Sequence, residues 1–278
     1  MKFTMLGTAA YERVPSMFCD CAVCRLAREQ GGKNLRADTQ ALIDGNILID
    51  IGLDTYHNFL KTDVNFARDL EHILITHSHC DHFFLEELKM KTNHYNAKGT
   101  NMDMTLYGSA ECKEMYEKGV ESPTLNFRAV KAYEKFSVGK YTVVALPAIH
   151  SSCEAFVYII TDGESTIFYS LDTEILDDEV YEYLKKSDFK FDAVFCDCCF
   201  GWLPVERPKT HMSLIGNVIH RDKLTEAGCV DANTKWYLTH FSHNGLFKDG
   251  VAMSHEDMSA DAEKYGMLVA YDGMKIEI

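Results

Sequence analysis

The sequence predicts an α/β fold of four layers, in which two β-sheets pack face to face and helices cover their outer sides. Apolar runs of strand length alternate with segments of helical spacing, and β-rich blocks and helices alternate twice along the chain. The 278 residues contain no linker rich in Pro, Gly or Ser, no low-complexity tract and no clear repeat. We therefore expect a single domain that spans residues 1–278.

In the first half of the chain, Lys2–Gly7 is predicted to form the opening strand, and the cysteine cluster Cys19–Cys24 to lie in an irregular loop. Asp44-Gly45-Asn46 is a strong hairpin signal, which predicts paired strands at Thr39–Ile43 and Ile47–Ile51. A strand, a helix, a second strand and a second helix are then predicted at His72–Thr76, Phe83–Lys91, Met104–Gly108 and Ala110–Lys118.

In the second half, three strands are predicted first, and the turn dipeptide Asp162-Gly163 joins the last two of them. These strands are Tyr141–Pro147, Ala155–Thr161 and Thr166–Leu171. Helices and strands then alternate, at Glu174–Lys185, Asp192–Cys196, Ser213–Gly228, Trp236–Thr239 and His255–Tyr265. Met267–Ile278 is predicted to be a terminal hairpin around Asp272-Gly273.

The composition excludes several classes of protein. Because 28 Lys and Arg stand against 42 Asp and Glu, the net charge is −14, which argues against a passive nucleic-acid coat. No apolar run approaches the roughly 18 to 20 residues of a membrane helix, and Phe3–Ala10 is too short for a secretory signal. We expect a cytoplasmic protein whose ten cysteines bind metal or pack in the core rather than form disulfides.

The strongest chemical signal is the run Thr76-His77-Ser78-His79-Cys80-Asp81-His82, which directly follows a predicted strand. Imidazoles and a carboxylate at this density suit Zn, Mn or Fe, and could serve two adjacent ions. Three more candidate ligands each follow a predicted strand: His150, Asp172 and His240. Singly each could be an incidental polar residue, but together with the run they predict a site for two metal ions.

A second cluster, Cys19-Asp20-Cys21-Ala22-Val23-Cys24, brings three thiols close together. Three thiolates suit Zn²⁺, which requires a fourth ligand, and His243 lies three residues beyond His240. The sequence therefore predicts a structural zinc held by Cys19, Cys21, Cys24 and His243, which would tie the N-terminal loop to the neighbourhood of the dinuclear site. The alternative is three free buried thiols.

From Asp50 to His240 the sequence resembles the metallo-β-lactamase superfamily of metallohydrolases, whose fold is an αββα sandwich. The resemblance implies that His77, His79 and His150 hold one ion, that Asp81, His82 and His240 hold the other, and that Asp172 bridges them. Asp50 resembles an acid that supports the metal histidines in this superfamily, although it could equally be an Asp that ends a strand before Gly52.

Leu6-Gly7-Thr8, Pro15, the cysteine cluster and Thr239-His240-Phe241-Ser242-His243 resemble the PhnP-like branch, which comprises cyclic phosphodiesterases. His211 matches a histidine that this branch places over the substrate, and the alternative is an ordinary surface histidine at a helix start. The accessory protein PqqB is similar at the cysteine cluster but departs in the metal ligands.

These features predict a phosphodiesterase in which hydroxide bridging two divalent ions attacks a small cyclic, ribosyl or nucleotide-like phosphodiester. Asp172 and Asp81 would hold the ions at the reacting centre, while His211 or a metal-bound water protonates the leaving oxygen. The ligands leave Mn, Zn and Fe open, and a homodimer is compatible with the sequence. The alternatives are a tRNA 3′-processing nuclease, a thiolester or lactone hydrolase and a non-catalytic PqqB-like protein.

The remaining features carry less information. Cys196-Asp197-Cys198-Cys199 ends a predicted strand, which favours packing over a redox or metal cluster. Cys80, Cys112, Cys153 and Cys229 have no partners at ligand spacing. Asn93–Asp103 and Trp202–Pro208 match no family pattern. Asn93–Asp103 and Gly201–Pro208 are nearly balanced in charge, which disfavours long RNA as a partner and favours a small-molecule substrate. No membrane partner is expected, because no apolar run is long enough to span a bilayer.

Overall fold

The computed structural model describes residues 1–91, 95–96, 102–151, 153–204 and 210–278. The strands are β1 (Lys2–Gly7), β2 (Gln40–Ile43), β3 (Ile47–Ile49), β4 (His72–Leu74), β5 (Met104–Gly108), β6 (Leu125–Ala129), β7 (Lys135–Val138), β8 (Tyr141–Pro147), β9 (Phe156–Thr161), β10 (Thr166–Ser170), β11 (Ala193–Asp197), β12 (Lys235–Thr239), β13 (Phe247–Lys248), β14 (Val251–Ala252), β15 (Leu268–Val269) and β16 (Met274–Glu277). The helices are α1 (Ala22–Gln30), α2 (Thr55–Phe59), α3 (Phe66–Asp69), α4 (Leu85–Lys89), α5 (Ala110–Gly119), α6 (Asp178–Lys186), α7 (Leu214–Glu226) and α8 (His255–Ala262). Among the described residues, none of the helices combines the length and the apolar character needed to traverse a bilayer.

The strands form two seven-stranded sheets and a small ribbon of β13 and β14. The first sheet has the order β16-β1-β2-β3-β4-β5-β6, and the second has the order β15-β12-β11-β10-β9-β8-β7. Strands β3 to β6 run parallel to one another in the first sheet, as do β10, β11, β12 and β15 in the second. Parallel strands end at a common edge of their sheet, so side chains that follow them are brought together.

Three apolar cores separate the layers of the fold. Along β8, Val143 and Ala145 lie in the core between the two sheets, while Val144 and Leu146 lie in the core beneath α6 and α7. This alternation is the period of two that a strand buried on both faces requires. A third core packs the first sheet against α4 and α5. The predicted four-layer α/β sandwich is therefore confirmed.

The predicted terminal hairpin over Met267–Ile278 is wrong. Strand β15 pairs with β12 in the second sheet, whereas β16 pairs with β1 in the first. Asp272-Gly273 carries the chain from one sheet to the other, and Gly273 has a φ of 86°. The turn signal is real, but each strand extends the open edge of a different sheet instead of pairing with its neighbour in sequence.

Other differences lie at short or polar elements. The cysteine loop is shorter than predicted because α1 begins at Ala22, with Cys21 as its N-cap. The sequence analysis did not predict β6 and β7, which are short strands with exposed residues at the sheet edges. Helix α6 begins at Asp178 rather than Glu174. Short strands and helix ends depend on their tertiary neighbours more than on their own pattern.

Phe195→Ala is expected to lower the free energy of unfolding by about 3–5 kcal/mol. The fully buried Phe195 ring stacks at 4.1 Å on Phe3 of the opposite sheet and at 5.1 Å on Tyr237 of the neighbouring strand. Its removal leaves a cavity between the sheets and breaks both ring contacts. Denaturant unfolding measures the loss. Phe18→Ala, at a residue that is 96% exposed, is the control, and equal losses in the two variants would contradict this packing.

Candidate metal centre

The ends of the parallel strands supply the polar side chains of one cleft. Asp50 follows β3, His77 lies just beyond β4, Asp172 follows β10, Asp197 ends β11 and His240 follows β12. Three of these residues, Asp50, Asp172 and His240, have positive φ angles of 66°, 49° and 59°. Such a backbone costs of order 1 kcal/mol or more for a non-glycine residue and is typical of functional sites. Backbone strain is thus present at three of the positions where the chain turns these side chains into the cleft.

The first group of candidate ligands consists of His77, His79 and His150. His79 Nδ1 lies 3.1 Å from His150 Nε2, close to the roughly 3.3 Å that separates two nitrogen ligands of a tetrahedral zinc ion. His77 Nδ1 bonds the Thr76 hydroxyl at 3.0 Å, and His77 Nε2 is buried without a hydrogen-bond partner among the described residues. Burial lowers the pKa of His77 well below its ordinary value, so the imidazole is neutral and its free nitrogen can bind a metal.

The second group consists of Asp81, His82 and His240, and it surrounds Asp172. His82 Nε2 lies 2.8 Å from Asp172 Oδ2 and 3.3 Å from Asp81 Oδ2. The other oxygen, Asp172 Oδ1, lies 3.1 Å from His240 Nε2 and 3.6 Å from His150 Nε2 of the first group. Asp172 therefore lies between the two groups, and its Oδ1 atom is near one histidine of each group.

The charges of the second group suit a cation. Burial opposes a charged His82, but the carboxylates of Asp172, Asp81 and Asp50 outweigh it and raise the pKa of His82 well above its ordinary value. Burial likewise opposes a charged Asp172, yet His240 and His82 hold the pKa of this carboxyl well below its usual range. A negative potential that favours a proton on His82 also favours a divalent cation. His82 Nε2 and Asp172 Oδ2 have no partner of hydrogen-bond geometry in the described chain, so the residues fit metal ions.

Hydrogen bonds outside the cluster orient its imidazoles. His82 Nδ1 donates to Asp50 Oδ2 at 2.7 Å, and Asp50 also accepts from the Thr76 amide at 2.7 Å. His240 Nδ1 lies 3.0 Å from the Thr39 hydroxyl. These contacts occupy Nδ1 of each ring and turn Nε2 toward Asp172, as a metal centre requires. Burial raises the pKa of Asp50 against the effect of His82, and the predicted contact between this acid and a metal-type histidine is present.

His211 lies in the same cleft and is held by Asp197. His211 Nδ1 is 2.8 Å from Asp197 Oδ2 and 3.7 Å from Asp172 Oδ1. The other oxygen of Asp197 accepts from the amides of Cys199 and Met212 at 2.9 and 3.0 Å. Burial opposes protonation of His211, but the charge of Asp197 and its hydrogen bond outweigh burial and raise the pKa of His211 to about 9. Asp197 thus favours the protonated form of the His211 imidazole.

The cysteine cluster also comes together with the predicted histidine. The ligand atoms of Cys19, Cys21, Cys24 and His243 all lie within 4.8 Å of one another. His243 Nδ1 is 3.5 Å from Cys21 Sγ and 3.8 Å from Cys19 Sγ. Burial opposes a Cys21 thiolate, but hydrogen bonds from the Cys24 amide and His243 outweigh it and lower the pKa of Cys21 to about 7. Burial raises the pKa of Cys24 to about 12.

A family model described as the beta-lactamase superfamily domain matches residues 45–241 of this chain. The matched span is more than half of the sequence and includes both groups of candidate ligands and Asp172. The chain belongs to the β-lactamase superfamily. None of the curated proteins matches this sequence.

Solved structures show the same fold along the whole chain. A diphosphatase from the PhnP family is 23% identical, with a TM-score of 0.74, and the match covers 100% of this chain and 98% of that one. Zinc-bound PqqB from Methylobacterium extorquens is 15% identical, with a TM-score of 0.74 and full coverage of both chains. Human tRNase Z, short form, is 16% identical, with a TM-score of 0.60 and coverage of 100% and 99%. These similarities establish the metallo-β-lactamase fold.

The cysteine cluster lies outside the span that matches the superfamily model. Cys19, Cys21 and Cys24 precede residue 45, and His243 follows residue 241. The cluster therefore brings a segment before the matched span together with a segment after it. Much of Asn93–Asp103 and Gly201–Pro208 lies outside the described residues, namely 93–94, 97–101 and 205–208.

The sequence analysis missed two residues that lie beside the candidate ligands. It favoured packing for the run Cys196–Cys199, and Cys196 and Cys198 do lie in the core, but Asp197 faces the cleft and holds His211. The available signal was an Asp at the end of a buried strand, the same pattern that singled out Asp172. Cys153, which has no partner at ligand spacing, lies beside His77, His79 and His150.

Proposed function

We propose that this chain is a dinuclear metallohydrolase that cleaves a small phosphodiester of cyclic, ribosyl or nucleotide-like structure. The observation that carries the proposal is the position of Asp172 between two groups of metal-type ligands with unpartnered buried atoms. One ion would be held by His77, His79 and His150, the other by Asp81, His82 and His240, with Asp172 shared. Two divalent ions bound there would activate water as a nucleophile and offset the negative charge of the phosphate.

The chain's own residues would orient the substrate and move a proton. His211 lies beside Asp172 with its Nδ1 bonded to Asp197, so its Nε2 is the nitrogen available to a substrate. We assign His211 to proton donation to the leaving oxygen or to binding of a phosphate oxygen. Two backbone amides fix Asp197, which in turn fixes the ring of His211, so Asp197 acts as a positioning residue.

Phosphate chemistry is supported by the PhnP-family diphosphatase, whose fold the chain shares over its full length. That structure also favours a second candidate function, hydrolysis of a small diphosphate at the same centre. A tRNA-processing nuclease is disfavoured because a net charge of −14 repels long RNA, although the fold of human tRNase Z is shared. We also propose that the cysteine cluster holds a structural zinc, so that a loaded chain carries three ions.

Purified protein is expected to contain two catalytic metal ions and one zinc, and to hydrolyse small phosphodiesters in a chelator-sensitive manner. Elemental analysis gives the metal content and shows whether Mn, Zn or Fe occupies the pair. Turnover is then measured on bis-p-nitrophenyl phosphate, 2′,3′-cyclic nucleotides, a nucleoside diphosphate and long RNA, with and without chelator. Two bound ions without phosphate turnover would favour a thiolester, lactone or binding role. Turnover of RNA alone would favour the nuclease.

His211→Ala is expected to lower kcat by about 10²- to 10⁴-fold on 2′,3′-cyclic nucleotides and much less on bis-p-nitrophenyl phosphate. A sugar alkoxide needs a proton in order to leave, whereas p-nitrophenolate leaves without one. Metal content should not change. His57→Ala, at an exposed histidine of α2, is the matched control. Equal losses on the two substrates would contradict a role in leaving-group protonation.

A further inference from the structure

A cysteine thiol lies beside the three-histidine group and takes no part in the function proposed above. The ligand atoms of His77, His79, His150 and Cys153 all lie within 4.8 Å of one another. Cys153 is partly buried, and its thiol donates a weak hydrogen bond to the carbonyl oxygen of His150 at 3.7 Å. The three-residue spacing from His150 brings the sulfur back over the same group of imidazoles.

The imidazoles provide independent reason to expect a ligand at this position. His77 is fully buried, and its Nε2 has no hydrogen-bond partner among the residues that the structure describes. The short distance of 3.1 Å between His79 Nδ1 and His150 Nε2 brings two further nitrogens to the same point. Three imidazole nitrogens with a sulfur within reach of all of them are a donor set that suits zinc.

We propose that Cys153 is a further protein ligand of the ion held by His77, His79 and His150, in addition to the shared Asp172. The proposal rests on the metal binding that the proposed function assigns to these histidines. Binding of Zn²⁺ to the thiol forms a zinc–sulfur bond and releases the thiol proton to solvent, without change of oxidation state.

This ligand would make the two halves of the centre chemically different. A thiolate with three imidazoles prefers thiophilic ions such as Zn²⁺, whereas the half with Asp81 offers carboxylate oxygen that also suits Mn²⁺. The ion held by the three histidines and Cys153 would then be zinc, whereas the sequence alone left Mn, Zn and Fe open for it.

Cadmium-113 NMR of the metal-loaded full chain tests the assignment, because each cadmium site gives its own resonance and sulfur ligands move it downfield. The cysteine cluster reports separately from the three-histidine site. In Cys153→Ser, which keeps a donor to the His150 carbonyl, one resonance is expected to move upfield while the others stay in place. Cys80→Ser, at an exposed thiol of the same motif, is the matched control and should move none. Coincident spectra of wild type and Cys153→Ser would overturn the proposal.

Two further measurements keep the test decisive. Competition between Zn²⁺ and Mn²⁺ should show that Cys153→Ser lowers zinc preference by about 10- to 100-fold. In the wild-type chain, zinc should protect Cys153 from iodoacetamide and leave Cys80 reactive, as mapped by mass spectrometry. Equal alkylation of Cys153 with and without zinc would overturn the proposal even if the variant fails to fold. If the three-histidine site gives a cadmium resonance shifted downfield by sulfur but the chain hydrolyses no phosphodiester, only the proposed function is refuted. If the histidines bind no cadmium, both the proposed function and the role of Cys153 are refuted.

Discussion

Asp172→Ala is expected to abolish hydrolysis while the chain stays folded. One carboxylate contacts both halves of the site, with oxygens 2.8 Å from His82 Nε2, 3.1 Å from His240 Nε2 and 3.6 Å from His150 Nε2. Its removal takes the shared negative charge from between two cations and should lower kcat by about 10³-fold or more. Steady-state kinetics on a small phosphodiester measures this loss, and elemental analysis should show fewer than two catalytic ions per chain.

His77→Ala should produce a comparable loss, because the two residues serve one metal centre. Residues that act as a unit are not additive, so the double variant should be about as slow as either single variant. Asp188→Ala, at an exposed aspartate in the loop after α6, is the control and should keep full activity. A full hydrolytic rate in Asp172→Ala or His77→Ala would refute metal-dependent catalysis at this centre.

The sequence predicted the positions of the metal-type residues because their pattern is local. A buried strand followed by a polar residue is visible in the sequence, and Asp50, Asp172 and His240 all have this pattern. The dense run from His77 to His82 needs no tertiary information to suggest a metal site. Parallel strands that share an edge then bring the local signals together, so the sheet order turns several separate predictions into one cleft.

The features that the sequence did not reveal depend on tertiary contacts. Asp197 has the strand-end pattern, but its role follows from the distance of 2.8 Å to His211, which a loop brings across the cleft. Cys153 acquires neighbours only when His77 and His79 pack against the turn after β8. The crossover at Asp272-Gly273 was mistaken for a hairpin because a turn signal does not say which sheet the next strand joins. The single domain over residues 1–278 stays a prediction.

Cys21→Ser is expected to lower the thermal midpoint of unfolding by about 10 °C, the shift that a loss of about 4 kcal/mol produces in a domain of this size. Cys21 caps α1 by accepting from the Cys24 amide, and serine is itself a preferred N-cap. The substitution therefore keeps the cap and removes only the soft donor to a zinc ion. Calorimetry gives the midpoint, and elemental analysis should show one ion fewer per chain.

Loss of the proposed structural zinc should also affect catalysis, because its ligand His243 lies three residues after His240. Loss of the ion frees the segment that places His240 against Asp172, so kcat should fall while the remaining ions stay bound. Chelation separates the metal from the side chain: it should lower the midpoint of the wild type more than that of Cys21→Ser, which has already lost the ion of the cysteine cluster. Cys80→Ser, at an exposed thiol outside the cluster, should match the wild type in midpoint and metal content. A Cys21→Ser chain with the wild-type midpoint and its full metal content would show that the four residues are packed thiols and an imidazole rather than a zinc site.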